Sequence, residues 1–140
     1  MHRRRIVIST LAVLLLATTG FLVILNRKRA ESRMCAGRLF PLTFSAMMWA
    51  NEREEHYPTN LMYLSSEWRV RWLICPSDSL RKPAQDWESF DPDRNSSYEI
   101  VSPGIAQSDT NLAFLRCRVH GHLSYSDITV FDGQRRRPKD

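Results

Sequence analysis

Twenty consecutive residues without a formal charge, IVISTLAVLLLATTGFLVIL from Ile6 to Leu25, constrain this chain more than any other feature. As a helix rising 1.5 Å per residue, such a stretch is about 30 Å long, the thickness of a bilayer's hydrocarbon core. Basic clusters stand on both sides, His2-Arg3-Arg4-Arg5 before it and Arg27-Lys28-Arg29 after it, where lipid headgroups favour them. A cleaved secretory leader starts in the same way, but its apolar core runs for about 7–15 residues and ends at a small-x-small site. Asn26-Arg27-Lys28-Arg29 has no such site. The expectation is an uncleaved, single-pass transmembrane helix over residues 6–25, with residues 1–5 as a basic N-terminus and 26–33 as a juxtamembrane segment. Charge counting does not orient it, because Arg3, Arg4 and Arg5 face Arg27, Lys28, Arg29 and Arg33 across the span.

The formal charge of +5 raises the question of a nucleic-acid partner. Residues 1–33 carry seven of the twenty Lys and Arg and one of the fifteen Asp and Glu, so residues 34–140 have thirteen basic against fourteen acidic groups, a net −1. The surplus belongs to the flanks of the apolar segment, and no nucleic-acid partner is expected. A chain of 140 residues leaves room for one further domain, read here as residues 34–133 with a basic tail over 134–140.

Within that domain the first part patterns as helix and the second as strands, which predicts α+β. Cys35, Leu39, Leu42, Ala46 and Trp49 recur at spacings of four and three, one face of a helix, which Phe40, Phe44 and Met47 widen. Pro41 falls inside it and predicts a kink or a break. The polar run Asn51–Glu55 and then His56-Tyr57-Pro58 end it. A short helical turn is expected over 60–66 and strands over 70–75, 96–101 and 112–117. A last strand from Leu123 to Phe131 is expected to be bulged near Asp127. The expected architecture is a long N-terminal helix packed on an antiparallel sheet of three to four strands.

Motifs for chemistry are sparse. There is no G-x-S-x-G, no glycine-rich phosphate loop and no H-E-x-x-H, so no enzyme, no small-molecule substrate and no cofactor is expected. The acidic group Asp86, Glu88, Asp91 and Asp93 reads as a solvated loop, since it lacks the alternation and glycine of a calcium loop. Trp49, Trp68, Trp72 and Trp87 read as packing residues. The three cysteines leave two readings open. One is a Cys75–Cys117 disulfide, with Cys35 packed as a small buried side chain. The other is a zinc site of Cys75, Cys117, His120 and His122, in which Cys117-x-x-His120-x-His122 supplies soft and borderline ligands. The zinc reading carries with it a second function, a metal- or redox-sensing module.

Met34-Cys35-Ala36-Gly37-Arg38-Leu39, Ala46-Met47-Met48-Trp49-Ala50-Asn51 and Tyr57-Pro58-Thr59-Asn60-Leu61 are followed by Cys75-Pro76-Ser77-Asp78 and Ser97-Tyr98-Glu99. Cys117-x-x-His120-Gly121 and Val130-Phe131-Asp132-Gly133 complete the series. In that order they resemble pseudopilin-like proteins, the type II secretion and type IV pilin-related head domains of planctomycetes and verrucomicrobia. The resemblance covers about residues 34–133. It implies a pilin-like fold, a non-enzymatic structural or interaction role, and protein partners in a secretion or pilus-like assembly. It also implies an inner-membrane location with a periplasmic head. The family's Gly-Phe-Thr-Leu-Ile-Glu processing site is absent: Gly20-Phe21 lies inside the apolar stretch, with Leu25 where the glutamate would stand.

Overall fold

The computed structural model describes residues 2–133 and 136–137, with side-chain surroundings for residue 11 and residues 13–133. The chain divides into two compact units, Met1–Glu31 and Ser32–Asp140. Helix α1, His2–Asn51, supplies all of the described structure of the first unit and opens the second. In the first unit Thr18 and Thr19 return their hydroxyls to the carbonyls of Leu15 and Leu16. Arg27 pairs with Glu31 one turn on.

No helix among the described residues is long and apolar enough to cross a membrane. The expected single-pass transmembrane helix over Ile6–Leu25 is corrected on this finding, and with it the inner-membrane location and the periplasmic head that rested on it. The expectation for residues 6–10 and 12 falls outside the residues whose surroundings are described.

The second unit is α+β. Residues 32–51 of α1 lay one face on the core: Cys35, Ala36, Leu39, Leu42, Thr43, Ala46 and Ala50 are buried, whereas Phe40, Phe44 and Met48 are exposed. The helix runs through Pro41 without a break. At the far end, Glu55 N–H bonds back to Ala50 O, and Glu54 and Glu55 turn the chain with φ of 54° and 58°. The Gln107 side-chain amide then donates to Met47 O and Asn51 Oδ1.

A 3-10 turn at Leu61–Leu64, capped by Asn60 Oδ1, matches the turn expected over 60–66. Residues 70–73 form a second 3-10 turn, not the strand that the apolar run suggested. Its burial is that of a helix-like turn: Val70 and Leu73 point inward while Arg71 and Trp72 are exposed. After a short α2, Pro92–Asn95, come β1 (Tyr98–Ile100), β2 (Ala113–Cys117), β3 (Leu123–Tyr125), β4 (Val130–Phe131) and β5 (Arg136–Arg137). They pair antiparallel in the order β1-β2-β3-β4-β5. Two differences from expectation stand out. The segment from Leu123 to Phe131 is a hairpin, closed by Ile128 N–H to Tyr125 O with Ile128 at φ 60°, instead of one bulged strand. Arg136–Arg137, read as part of a tail, pairs with β4.

Leu39, Leu42 and Ala46 of the helix share one buried core with Tyr98, Phe114, Leu115 and Val130 of the sheet. A buried polar link crosses the same layer, where Thr43 Oγ1 and Ser124 Oγ lie 2.6 Å apart. Tyr57 packs tilted against Phe114, with ring centroids 4.6 Å apart, and donates its hydroxyl to Ser126 O at 2.7 Å. Replacing Leu39 by Ala is expected to cost about 2–5 kcal/mol through the cavity it leaves. Phe40→Ala, one residue away on the exposed face, is expected to cost less than 1 kcal/mol. Denaturant titration of the two variants checks the assignment of faces.

Candidate metal centre

Four side chains from three distant segments converge under this helix. Cys35 comes from α1, Cys75 from the segment after the second 3-10 turn, Cys117 from the end of β2 and His120 from the loop that follows. Their three sulfurs and one ring nitrogen all lie within 4.8 Å of one another, and the three cysteines are buried while His120 is half-buried. His120 Nδ1 stands 3.3 Å from Cys75 Sγ and 3.9 Å from Cys117 Sγ. Tetrahedral zinc, with Zn–S near 2.3 Å and Zn–N near 2.1 Å, holds its ligand atoms about 3.5–4 Å apart. The cluster is thus within a small side-chain adjustment of a Cys3His shell.

Local structure explains each position. Cys35 belongs to the buried face of α1. Cys75 is fixed from both sides: its N–H donates to Ser97 Oγ at 2.9 Å, Ser97 N–H donates to Leu73 O, and Asp78 N–H folds back to Cys75 O. The Arg38 guanidinium on α1 bonds the carbonyl of Ile74, tying this segment to the helix. Cys117 N–H bonds His122 O, and Gly121 N–H returns to Cys117 O. With Gly121 at φ +68°, this closes the tight turn that carries His120 back over the sulfurs.

Each sulfur also has a donor suited to negative charge. Tyr98, fully buried, points its hydroxyl at Cys35 Sγ at 3.7 Å. The Ser77 N–H faces Cys75, and the N–H groups of Val119 and His120 face Cys117. Without a metal the three thiols must share what charge they hold. Hydrogen bonds from Cys35 and Cys75 draw the Cys117 thiol far below its ordinary value. The same bonds to Cys117, with burial, push Cys35 far up, and Cys75 is pushed up to about 11. One lowered thiol beside two raised ones falls short of the three thiolates that a divalent cation would draw out.

Of the residues in the zinc reading, the structure brings Cys75, Cys117 and His120 together, and it adds Cys35, which that reading did not include. His122 is not part of the group: the ring is buried, stacks on His120 at 5.0 Å and reaches Ser32 Oγ with Nε2 at 3.3 Å. Its place in the shell is taken by Cys35, which the helical stripe had marked as packing. All three cysteines are free thiols, with no Cys75–Cys117 bridge. Asp86, Asp91 and Asp93 do not converge on a common point. Asp86 bonds Ser89, Asp91 caps α2, and Asp93 joins Arg118 in a network with Glu99 and Arg116. Among the described residues, no other group of His, Cys, Asp or Glu has metal-ligand geometry. A cleft of about 650 Å³ beside Trp68 and Trp87 is lined by residues 65–71 and 83–87 and includes none of the cluster. Both indole N–H groups are engaged inward, with Ser45 Oγ and Trp68 O.

Comparison with protein-family models, curated proteins and solved structures returned no match.

Asp78 supports the Cys75 loop from beneath. Its carboxylate accepts from Ser97 Oγ, Leu80 N–H, Arg81 N–H and the Arg81 guanidinium. Burial raises its pKa, but these donors outweigh it and bring the value down to about 2 from 3.8. Because the folded value is the lower one, the resulting stability is complete above pH 3.8 and is lost as pH falls through about 2. The shift amounts to about 2 kcal/mol. Acid titration of the metal-free protein is expected to show that loss, and in Asp78→Asn the stability curve is expected to be flatter by that amount between about pH 4 and 2.

Proposed function

We propose that the domain is a non-enzymatic module whose helix is stapled to its sheet by a structural zinc ion held by Cys35, Cys75, Cys117 and His120. The convergence of those four ligand atoms carries the reading. The donor set favours zinc: three sulfurs and an imidazole suit a borderline-soft cation and disfavour calcium or magnesium, which take oxygen. Four protein ligands leave no coordination position for water or substrate, and closed sites of that kind are structural. The hydrogen bonds to each sulfur supply the outer support that such a shell needs, since three thiolates around Zn2+ leave one net negative charge in a buried place.

The pseudopilin-like resemblance now describes the scaffold in this reading and is secondary to the metal centre. Its support is the helical face of Cys35 to Ala50 laid on an antiparallel sheet. With it comes the proposal that the module serves protein partners of a pilus-like or secretion assembly by packing rather than by chemistry.

Purified full-length protein loaded with zinc is expected to hold one equivalent by elemental analysis. Cobalt substitution is expected to give thiolate charge-transfer and tetrahedral visible bands. Cys35→Ser should abolish stoichiometric binding, and His122→Gln should keep it. Tyr98→Phe, which removes the donor to Cys35, should weaken affinity by roughly 10–100-fold. A protein that binds no metal, or one that loses it in His122→Gln and keeps it in Cys35→Ser, overturns the reading.

A further inference from the structure

A shell of three sulfurs in mutual contact has a second chemistry open to it, because any two of them are close enough to join. We infer that this centre is redox-regulated: a hydroperoxide converts Cys75 and Cys117 into a disulfide, zinc leaves, and Cys35 on the helix is released from the shell. The inference rests on the zinc reading above.

The geometry chooses the pair. All three sulfurs lie within 4.8 Å of one another, and an S–S bond of about 2.05 Å needs them to close by side-chain rotation plus a small backbone shift. Cys35 is the least able to move. It sits mid-helix, where the backbone fixes its Cβ direction, and its sulfur faces the hydroxyl of the fully buried Tyr98. Cys75 lies between a 3-10 turn and a reverse turn, outside any helix or strand. Cys117 ends β2 at the mouth of a loop. The two are also held by one residue, since Ser97 receives Cys75 N–H on its hydroxyl and Arg118 N–H on its carbonyl. The half-buried His120 is the outermost ligand, so a small oxidant approaches from its side.

The step balances without a further reagent. One thiolate attacks a peroxide oxygen, the O–O bond breaks, and the sulfur keeps that hydroxyl as sulfenic acid while the other oxygen leaves as hydroxide. The second thiolate attacks the sulfenic sulfur, forms the S–S bond and expels its oxygen. Solvent supplies two protons, so one hydrogen peroxide becomes two waters, and the two electrons come from the two sulfurs. Zinc is left with Cys35 and His120, too few ligands to hold it.

The test uses the zinc-loaded full-length protein and hydrogen peroxide. Zinc content is measured first, so a failure of the zinc reading is recorded before any oxidant is added and takes this inference with it. Peroxide is then titrated, with released zinc followed by a chromogenic chelator and cysteine pairing by peptide mass spectrometry. The expected result is one zinc released per Cys75–Cys117 disulfide, Cys35 unpaired, and zinc rebinding after reduction with dithiothreitol. Met34 and Met48, each about half exposed at 52% and 50%, report that oxidant reached the protein. Sulfoxide at those methionines with zinc still bound and all cysteines reduced overturns the inference. Zinc loss with sulfinic acid in place of a disulfide, or a bridge that includes Cys35, overturns it as well.

Discussion

The structure turns on how three sulfurs and an imidazole are kept together in the interior of a small domain. Buried thiols at such close range cannot all ionise without help, and they gain little from remaining neutral neighbours. The fold spends much of its local detail on this point. Tyr98 is buried with its hydroxyl on Cys35, Ser97 braces the backbone of Cys75, Asp78 braces Ser97, and the Gly121 turn brings His120 over the group. Helix α1 meets the sheet through ordinary apolar packing as well, with Leu39, Leu42 and Phe114 in the same layer. What distinguishes the seam is that a sulfur cluster joins the Thr43–Ser124 link in its polar part.

On the zinc reading proposed above, the chain itself would fill all four ligand positions, the pattern of a structural site, whereas catalysis at a metal needs an open one. The Trp68–Trp87 cleft has volume but is walled by indoles whose N–H groups face inward. Its Asp86 is occupied by Ser89. Among the described residues, the chemistry of the second unit concentrates in one place.

Much of the architecture was legible from periodicity. The stripe Cys35, Leu39, Leu42 and Ala46 is the buried face of α1, and the runs ending in Val101 and Cys117 are the first two strands. Where the reading failed, two structures shared one pattern. Val70–Leu73 is apolar enough for a strand, and only its burial at positions one and four, with Arg71 and Trp72 outward, marks it as a turn. Leu123–Phe131 alternates like a single strand, and the reversal depends on Ile128 taking a left-handed conformation that its residue type disfavours. The uncharged span after residue 5 read as a membrane helix, whereas no helix among the described residues is long and apolar enough to cross a membrane. Cys35 was hidden for a different reason. On a helical stripe a cysteine is indistinguishable from a small apolar residue, and its partners lie 40 and 82 positions away, so no short motif could announce it.

That separation has a consequence of its own. In a finger whose ligands come in close pairs, a peptide of modest length can capture the ion and fold around it. Here the ligands are drawn from the helix, from an irregular segment and from a strand end, so no contiguous fragment short of residues 35–120 contains the shell. On the zinc reading, an ion in place would be a report that distant parts of the polypeptide have found each other.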